Sequence, residues 1–256
     1  MADPRKTHDL VKKAYGAVAK KQASCCDAKA LESCCSGGGG EQKVPEADLG
    51  LSCGNPVAFS EIKPGDVVVD LGSGAGRDVF LAAEKVGPVG RAIGVDMTPE
   101  MLRLARQNAM KFEVRTGLAN VEFRQGLIET LPIDDASVDL VISNCVINLS
   151  PDKPQVFREV YRVLRPGGRM VVSDIVLNRP LPDAAKDNED LYTACIAGAL
   201  LREDYLRAIR GAGFQTVKVL KDVTYDPSGA GGDPVTSGVA AALAGVASSV
   251  TIMAVR

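Results

Sequence analysis

A chain of 256 residues with an ordinary apolar share can fold as one large α/β domain with additions, and is long enough to bury a proper core. Its formal charge of −2 gives no surface that attracts polyanions, which argues against nucleic acid as a partner. The N-terminus has no apolar run of the signal-peptide kind, so the seven cysteines are read in a reducing, cytoplasmic setting, where thiols more often bind metals or do chemistry than form structural disulfides.

Residues 1–47 read as a separate first unit. A short helix is predicted over Leu10–Gln22, followed by two adjacent-cysteine pairs, Cys25-Cys26 and Cys34-Cys35, and by the flexible run Gly37–Gly40. The second unit runs from 48 to 256, and from Ile62 onward strand-length apolar runs alternate with helical segments. Val67–Val69 is a strand, followed by a glycine turn and a helix near Asp78–Lys85. Arg91–Val95 is the second strand. Thr98-Pro99 opens a helix as N-cap and first helical residue, with Leu102, Ala105, Ala109 and Phe112 on its buried face. Val121–Arg124 is the third strand, and Val138–Ser143 the fourth, an apolar run of the kind buried on both faces. Gln155–Leu164 is helical, Pro166-Gly167-Gly168 turns, and Arg169–Ser173 is the fifth strand. A helix over Arg202–Ala212 ends at Gly213, and Val217–Leu220 and Ser249–Val255 supply two more strands. The alternation predicts an α/β fold with a doubly wound, mostly parallel, Rossmann-like sheet. Pro234–Val255 carries no charge and has the length of a membrane span. Its Ala, Gly, Ser and Thr are poor membrane drivers, so it reads as a small-residue helix and a closing strand, with no membrane partner.

The first strand ends in Asp70-Leu-Gly72-Ser-Gly74-Ala-Gly76-Arg77-Asp78. Glycines there allow a tight turn and the close approach of a ligand to backbone. Asp96 ends the second strand about twenty residues past Gly76, where a carboxylate can accept from both ribose hydroxyls. The glycine spacing is G-x-G-x-G and an acid precedes it, which would repel a pyrophosphate seated on these amides. S-adenosyl-L-methionine has no phosphate and carries an ammonium, so the pattern favours it over a dinucleotide. Gly126–Pro132 follows the third strand, where a methyltransferase contacts adenine, and Arg165–Gly168 precedes the fifth. The order resembles the class I methyltransferases.

Cys145 stands at the carboxyl end of the fourth strand, the edge at which open α/β sheets bind ligands. Cys195 follows the fifth strand and Cys53 precedes the first, so three thiols distant in sequence could meet on one rim. The plainer reading is that each is a small buried filler. The one histidine, His8, lies far along the chain from these motifs and leaves a mixed Cys/His zinc site little to draw on.

The stretch SNCVINLSPDKPQVFREVYRVLRPGG resembles the arsenite methyltransferases, as do LGSGAGRD, VDMT, YGAVAKKQASCC and the CIAGAL run at Cys195. The resemblance implies that 48–256 is an adenosylmethionine-dependent domain with substrate-side elements from about 181. It implies that Cys53, Cys145 and Cys195 bind arsenic(III), and that Cys25 or Cys26 joins a disulfide relay reset by a thiol reductant of thioredoxin or glutathione type. It maps cofactor contacts onto Tyr15, Gly72, Arg77, Asp96, Met97, Ile128, Glu129 and Asn144. Cys34 and Cys35 receive no role.

The chemistry is consistent with this reading. Trivalent arsenic is thiophilic, and when bound to thiolates it keeps a lone pair that can attack a sulfonium methyl carbon. The nucleophile loses no proton, so no general base is required. The rivals are a methyltransferase acting on a quinone, sterol or similar acceptor, and a thiol-rich protein with no activity that sequesters a metalloid or zinc through Cys25, Cys26, Cys34 and Cys35. The first leaves three dispersed cysteines unexplained; for the second, adjacent pairs suit a zinc site less well than C-x-x-C spacing.

Overall fold

The computed structural model describes residues 3–25, 47, 55–181, 189–193, 195–224 and 245–256. Cys26, Cys34, Cys35, Cys53, the glycine run and the helix expected after Pro234 lie outside these residues.

Five parallel strands form the body of the sheet: β1 (Val67–Leu71), β2 (Arg91–Asp96), β3 (Val121–Gln125), β4 (Val138–Asn144) and β5 (Leu164–Leu177). β7 (Ala247–Val255) inserts antiparallel between β5 and β6 (Thr216–Thr224), giving the order β3-β2-β1-β4-β5-β7-β6. The chain winds outward from β1 to β3, then returns to β4 on the other side of β1. The β1/β4 border is therefore the switch point, where a ligand crevice opens beyond the strand ends.

The helices are α1 (Pro4–Cys25), α2 (Pro56–Phe59), α3 (Arg77–Val86), α4 (Pro99–Thr116), α5 (Lys153–Val163), α6 (Glu189–Thr193) and α7 (Arg202–Gly211). β4 is buried on both faces, as its apolar run predicts. Val141 packs among Val156, Phe157 and Val160 of α5 and Tyr205 and Ile209 of α7. Leu140 and Ile142 join the opposite layer, with Val79 and Phe80 of α3 and Leu102, Ala105 and Phe112 of α4. In that layer Phe80 stacks on Phe112 at 4.9 Å and meets Phe123 edge-on at 5.9 Å.

Some elements differ from the sequence expectation. α1 begins at Pro4 rather than Leu10 because it packs on the fold: Thr7, Val11 and Ala19 are buried. Thr98 is the N-cap of α4, but its side chain makes no cap bond; the Asp96 carboxylate accepts its N–H instead. Pro166–Gly168 does not separate helix from strand. It is an irregularity inside β5, where the register passes from Val138↔Leu164 to Leu140↔Arg169. Among the described residues, no helix is long and apolar enough to cross a membrane, and the end of the uncharged segment is the strand β7.

Candidate active site

A cleft with about 1100 Å³ of empty space, counted with its open mouth, lies at the switch point. Asp70, Gly72, Gly74 and Arg77 line it from the β1–α3 turn, and Asp96 and Met97 from the end of β2. Ile128, Glu129, Asn144 and Cys145 come from the next strand ends, and Tyr15 from α1.

The glycine turn takes its shape from backbone that other residues disfavour. Gly72 has φ 63, and a Cβ there would stand 2.5 Å from Val146. Gly74 has φ 52 and nothing within 4 Å of the same position, so its backbone is open to a ligand. Gly76, expected to contact the cofactor, is not among the residues that line the cleft. It caps α3 with its back to Phe123 and Phe80, which a Cβ would meet at 2.7 and 2.9 Å.

Asp96 organises the turn. One carboxylate oxygen accepts the Gly74 N–H at 2.9 Å, the other the Thr98 N–H at 2.8 Å. Burial raises its pKa against the pull of these bonds. Asp70, deeper in the cleft, is held well above the usual carboxylate range by burial and then by the charges of Asp78 and Asp96. Three acids packed this closely favour a cation and repel a phosphate. That fits the ammonium and sulfonium of adenosylmethionine, and Asn144, whose amide donates to Asp78 at 3.1 Å, belongs to the same group.

The roof is α1, and here the structure corrects the reading of His8. Distant in sequence, it lies in the cleft with its Nε2 3.1 Å from Glu129 Oε1, which also accepts the Ser150 hydroxyl. Val11 and Tyr15 follow His8 on the same helical face, an i, i+3, i+7 spacing that could have revealed the set. The Tyr15 hydroxyl donates to the Thr193 carbonyl at 3.3 Å, and burial, then Cys195, keeps it protonated.

Two of the three expected cysteines, Cys145 and Cys195, are neighbours. Cys145 lies in the cleft wall, and the Cys195 thiol, just outside it, donates to the Cys145 carbonyl at 2.7 Å. Cys145 is disulfide-bonded, whereas Cys195 is buried and reduced. Both sit in an apolar cluster with Leu149, Ile175 and Ile196, as fillers would. Yet both hold left-handed backbone, φ 55 and 63, which filling a core does not require. Cys25 ends α1, while Cys26 and Cys53 lie outside the described residues.

Sequence reasoning missed a buried polar group beneath the thiols. Asp174, 1% exposed in β5, accepts from Asn148 at 2.9 Å, from the Ile175 N–H at 3.1 Å and from the Tyr205 hydroxyl at 3.0 Å. Burial outweighs these bonds and the nearby Lys153 charge, raising its pKa to about 7. The folded state thus holds a proton that the unfolded chain releases near pH 4. The resulting destabilisation is absent below about pH 4, grows through the window and is complete above about pH 7, at an upper bound on the order of 4 kcal/mol. Asp174→Asn should therefore gain stability relative to wild type as pH rises from 5 to 8. Melting curves with a pH-independent difference would show that Asp174 does not titrate there.

The family model for the methyltransferase domain matches residues 62–213. An arsenite methyltransferase of Halobacterium salinarum is 45% identical over 236 residues, covering 85% of this chain and 59% of the relative. One from Aquipseudomonas alcaligenes is 38% identical over 223 residues, 84% of this chain and 64% of the relative. The chain thus spans about three fifths of the length of these curated relatives. Among solved structures, an arsenic(III) S-adenosylmethionine methyltransferase from Chlamydomonas reinhardtii superposes with a TM-score of 0.68 at 37% identity, covering 91% of this chain and 72% of that one. With the strand order, the acidic cleft and these likenesses together, the chain belongs to the S-adenosylmethionine-dependent methyltransferases, in the arsenite methyltransferase family.

Proposed function

We propose that this chain transfers methyl groups from adenosylmethionine to trivalent arsenic held by Cys145, Cys195 and Cys53. The observation that carries the reading is the meeting of Cys145 and Cys195 at the cleft, each on left-handed backbone. Asp96 holds the ribose, Asp70 and its neighbouring acids face the cationic end, and Gly74 leaves the backbone open to it. Bound there, adenosylmethionine would supply an electrophilic methyl group; the arsenic lone pair forms the new As–C bond as the sulfonium C–S bond breaks, leaving S-adenosylhomocysteine. Thiolates orient that lone pair, so the chain's main contribution is positioning. His8 is engaged with Glu129 and is not needed as a base.

Arsenic can bind Cys145 only after its disulfide is reduced. Methyl transfer leaves arsenic formally pentavalent, and two thiols that close a disulfide return it to the trivalent state. We assign that role to Cys53 with Cys25 or Cys26, and the reset to an external thiol by exchange. The test is incubation of the full chain with adenosylmethionine, arsenite and glutathione, followed by chromatographic separation of arsenic species. Methylated arsenicals are expected. A chain that binds adenosylmethionine but leaves arsenite unchanged would overturn the reading.

A further inference from the structure

The two sulfurs belong to separate pieces of backbone. Cys145 opens the turn after β4, and Cys195 lies in the turn after α6. Their left-handed dihedrals persist only where neighbours hold them. Two ties do this from beneath the cleft. Asn148, fully buried in the Cys145 turn, donates its amide to Asp174 at 2.9 Å and to the Ile175 carbonyl at 2.7 Å. Its own backbone carbonyl presses on Gly198, three residues past Cys195, where any side chain would collide with it. In the second tie, the Tyr192 hydroxyl on the Cys195 side donates to the Leu149 carbonyl on the Cys145 side at 3.0 Å. Asp174, Asn148 and Tyr192 do not line the cleft. Asp174, with Ser173 beside it, interrupts the apolar buried runs Met170–Val172 and Ile175–Leu177, a costly place for a carboxylate.

We propose that Asp174, acting through Asn148, is a positioning residue that sets where the Cys145 and Cys195 sulfurs stand relative to each other, with Tyr192–Leu149 as the second tie. This rests on reading the two cysteines as arsenic ligands. Arsenic held by fixed sulfurs points its lone pair in one direction, so a displaced sulfur misdirects the attack. An error of about 1 Å can cost on the order of a hundredfold.

The experiment is steady-state methylation by the full chain, with arsenite varied and glutathione present, beside calorimetric titration with adenosylmethionine. Asp174→Ala should lower kcat/KM for arsenite about tenfold or more, chiefly through kcat, with adenosylmethionine affinity unchanged. Asp174→Asn keeps an acceptor for Asn148 and should stay within about threefold of wild type. Tyr192→Phe should lower kcat/KM for arsenite several-fold, and it decides the matter if Asp174→Ala does not fold. Wild-type kcat/KM for arsenite in Asp174→Ala and Tyr192→Phe would overturn the proposal, as would equal losses in arsenite turnover and adenosylmethionine affinity. Cys145→Ser in the same assay separates the two levels. Wild-type rates there would overturn the arsenic reading itself, whereas a loss there with both tie variants intact would sink the positioning role alone.

Discussion

Cys145→Ser is expected to abolish methylation of arsenite and of methylated trivalent arsenicals, and Cys195→Ser to do the same. Both replacements are nearly isosteric, and serine tolerates the backbone of these turns about as well as cysteine, so the fold should survive. Cys145→Ser also removes the Cys145 disulfide, which is reduced in the assay in any case; what both replacements lose under those conditions is the ligand, because a hydroxyl oxygen is hard and binds arsenic(III) far more weakly than a thiolate. A monomethylated arsenical has only two positions left for sulfur, so losing either thiol leaves it held at one point. Rates should fall by about a hundredfold or more. Cys53→Ser is expected to harm arsenite more than the methylated substrate, which can manage with the other two. Arsenic speciation after timed incubation measures each case. Wild-type rates from Cys145→Ser would return both cysteines to the role of apolar packing.

The second large effect is on the cofactor. Asp96→Ala removes the proposed ribose acceptor and also the acceptor for two backbone N–H groups, of Gly74 and Thr98. Losing a hydrogen bond to a charged group costs ~1.5–3 kcal/mol, so adenosylmethionine affinity should fall roughly ten- to a hundredfold. Arsenite binding, which depends on other elements, should be nearly unchanged. Calorimetric titration reads both. An unaltered adenosylmethionine affinity would remove Asp96 from the site.

Much of this was legible because it is local. Val138–Ser143 has the unbroken apolar run of a central strand, and β4 is buried on both faces. Asp96 could be placed because the strand before it is regular, and the structure puts its carboxylate on the glycine turn. What could not be read depends on packing. Spacing alone does not say which glycine of the turn lines the cleft and which packs on Phe123, as Gly76 does. His8 enters the cleft only because α1 lies across the sheet's edge, a tertiary fact with no motif. Asp174 is the single acid of β5, and its partners Asn148 and Tyr205 come from opposite sides of it in sequence.

The placement of α1 has one more consequence. Through His8 it touches Glu129 in the cleft, and through Tyr15 it touches Thr193, two residues before Cys195. One helix therefore rests on both sides of the cleft. If adenosylmethionine and arsenic bind there as proposed, a ligand that seats the helix from one side would spare the other part of the entropy of ordering it, and linkage would make that help mutual and equal in size.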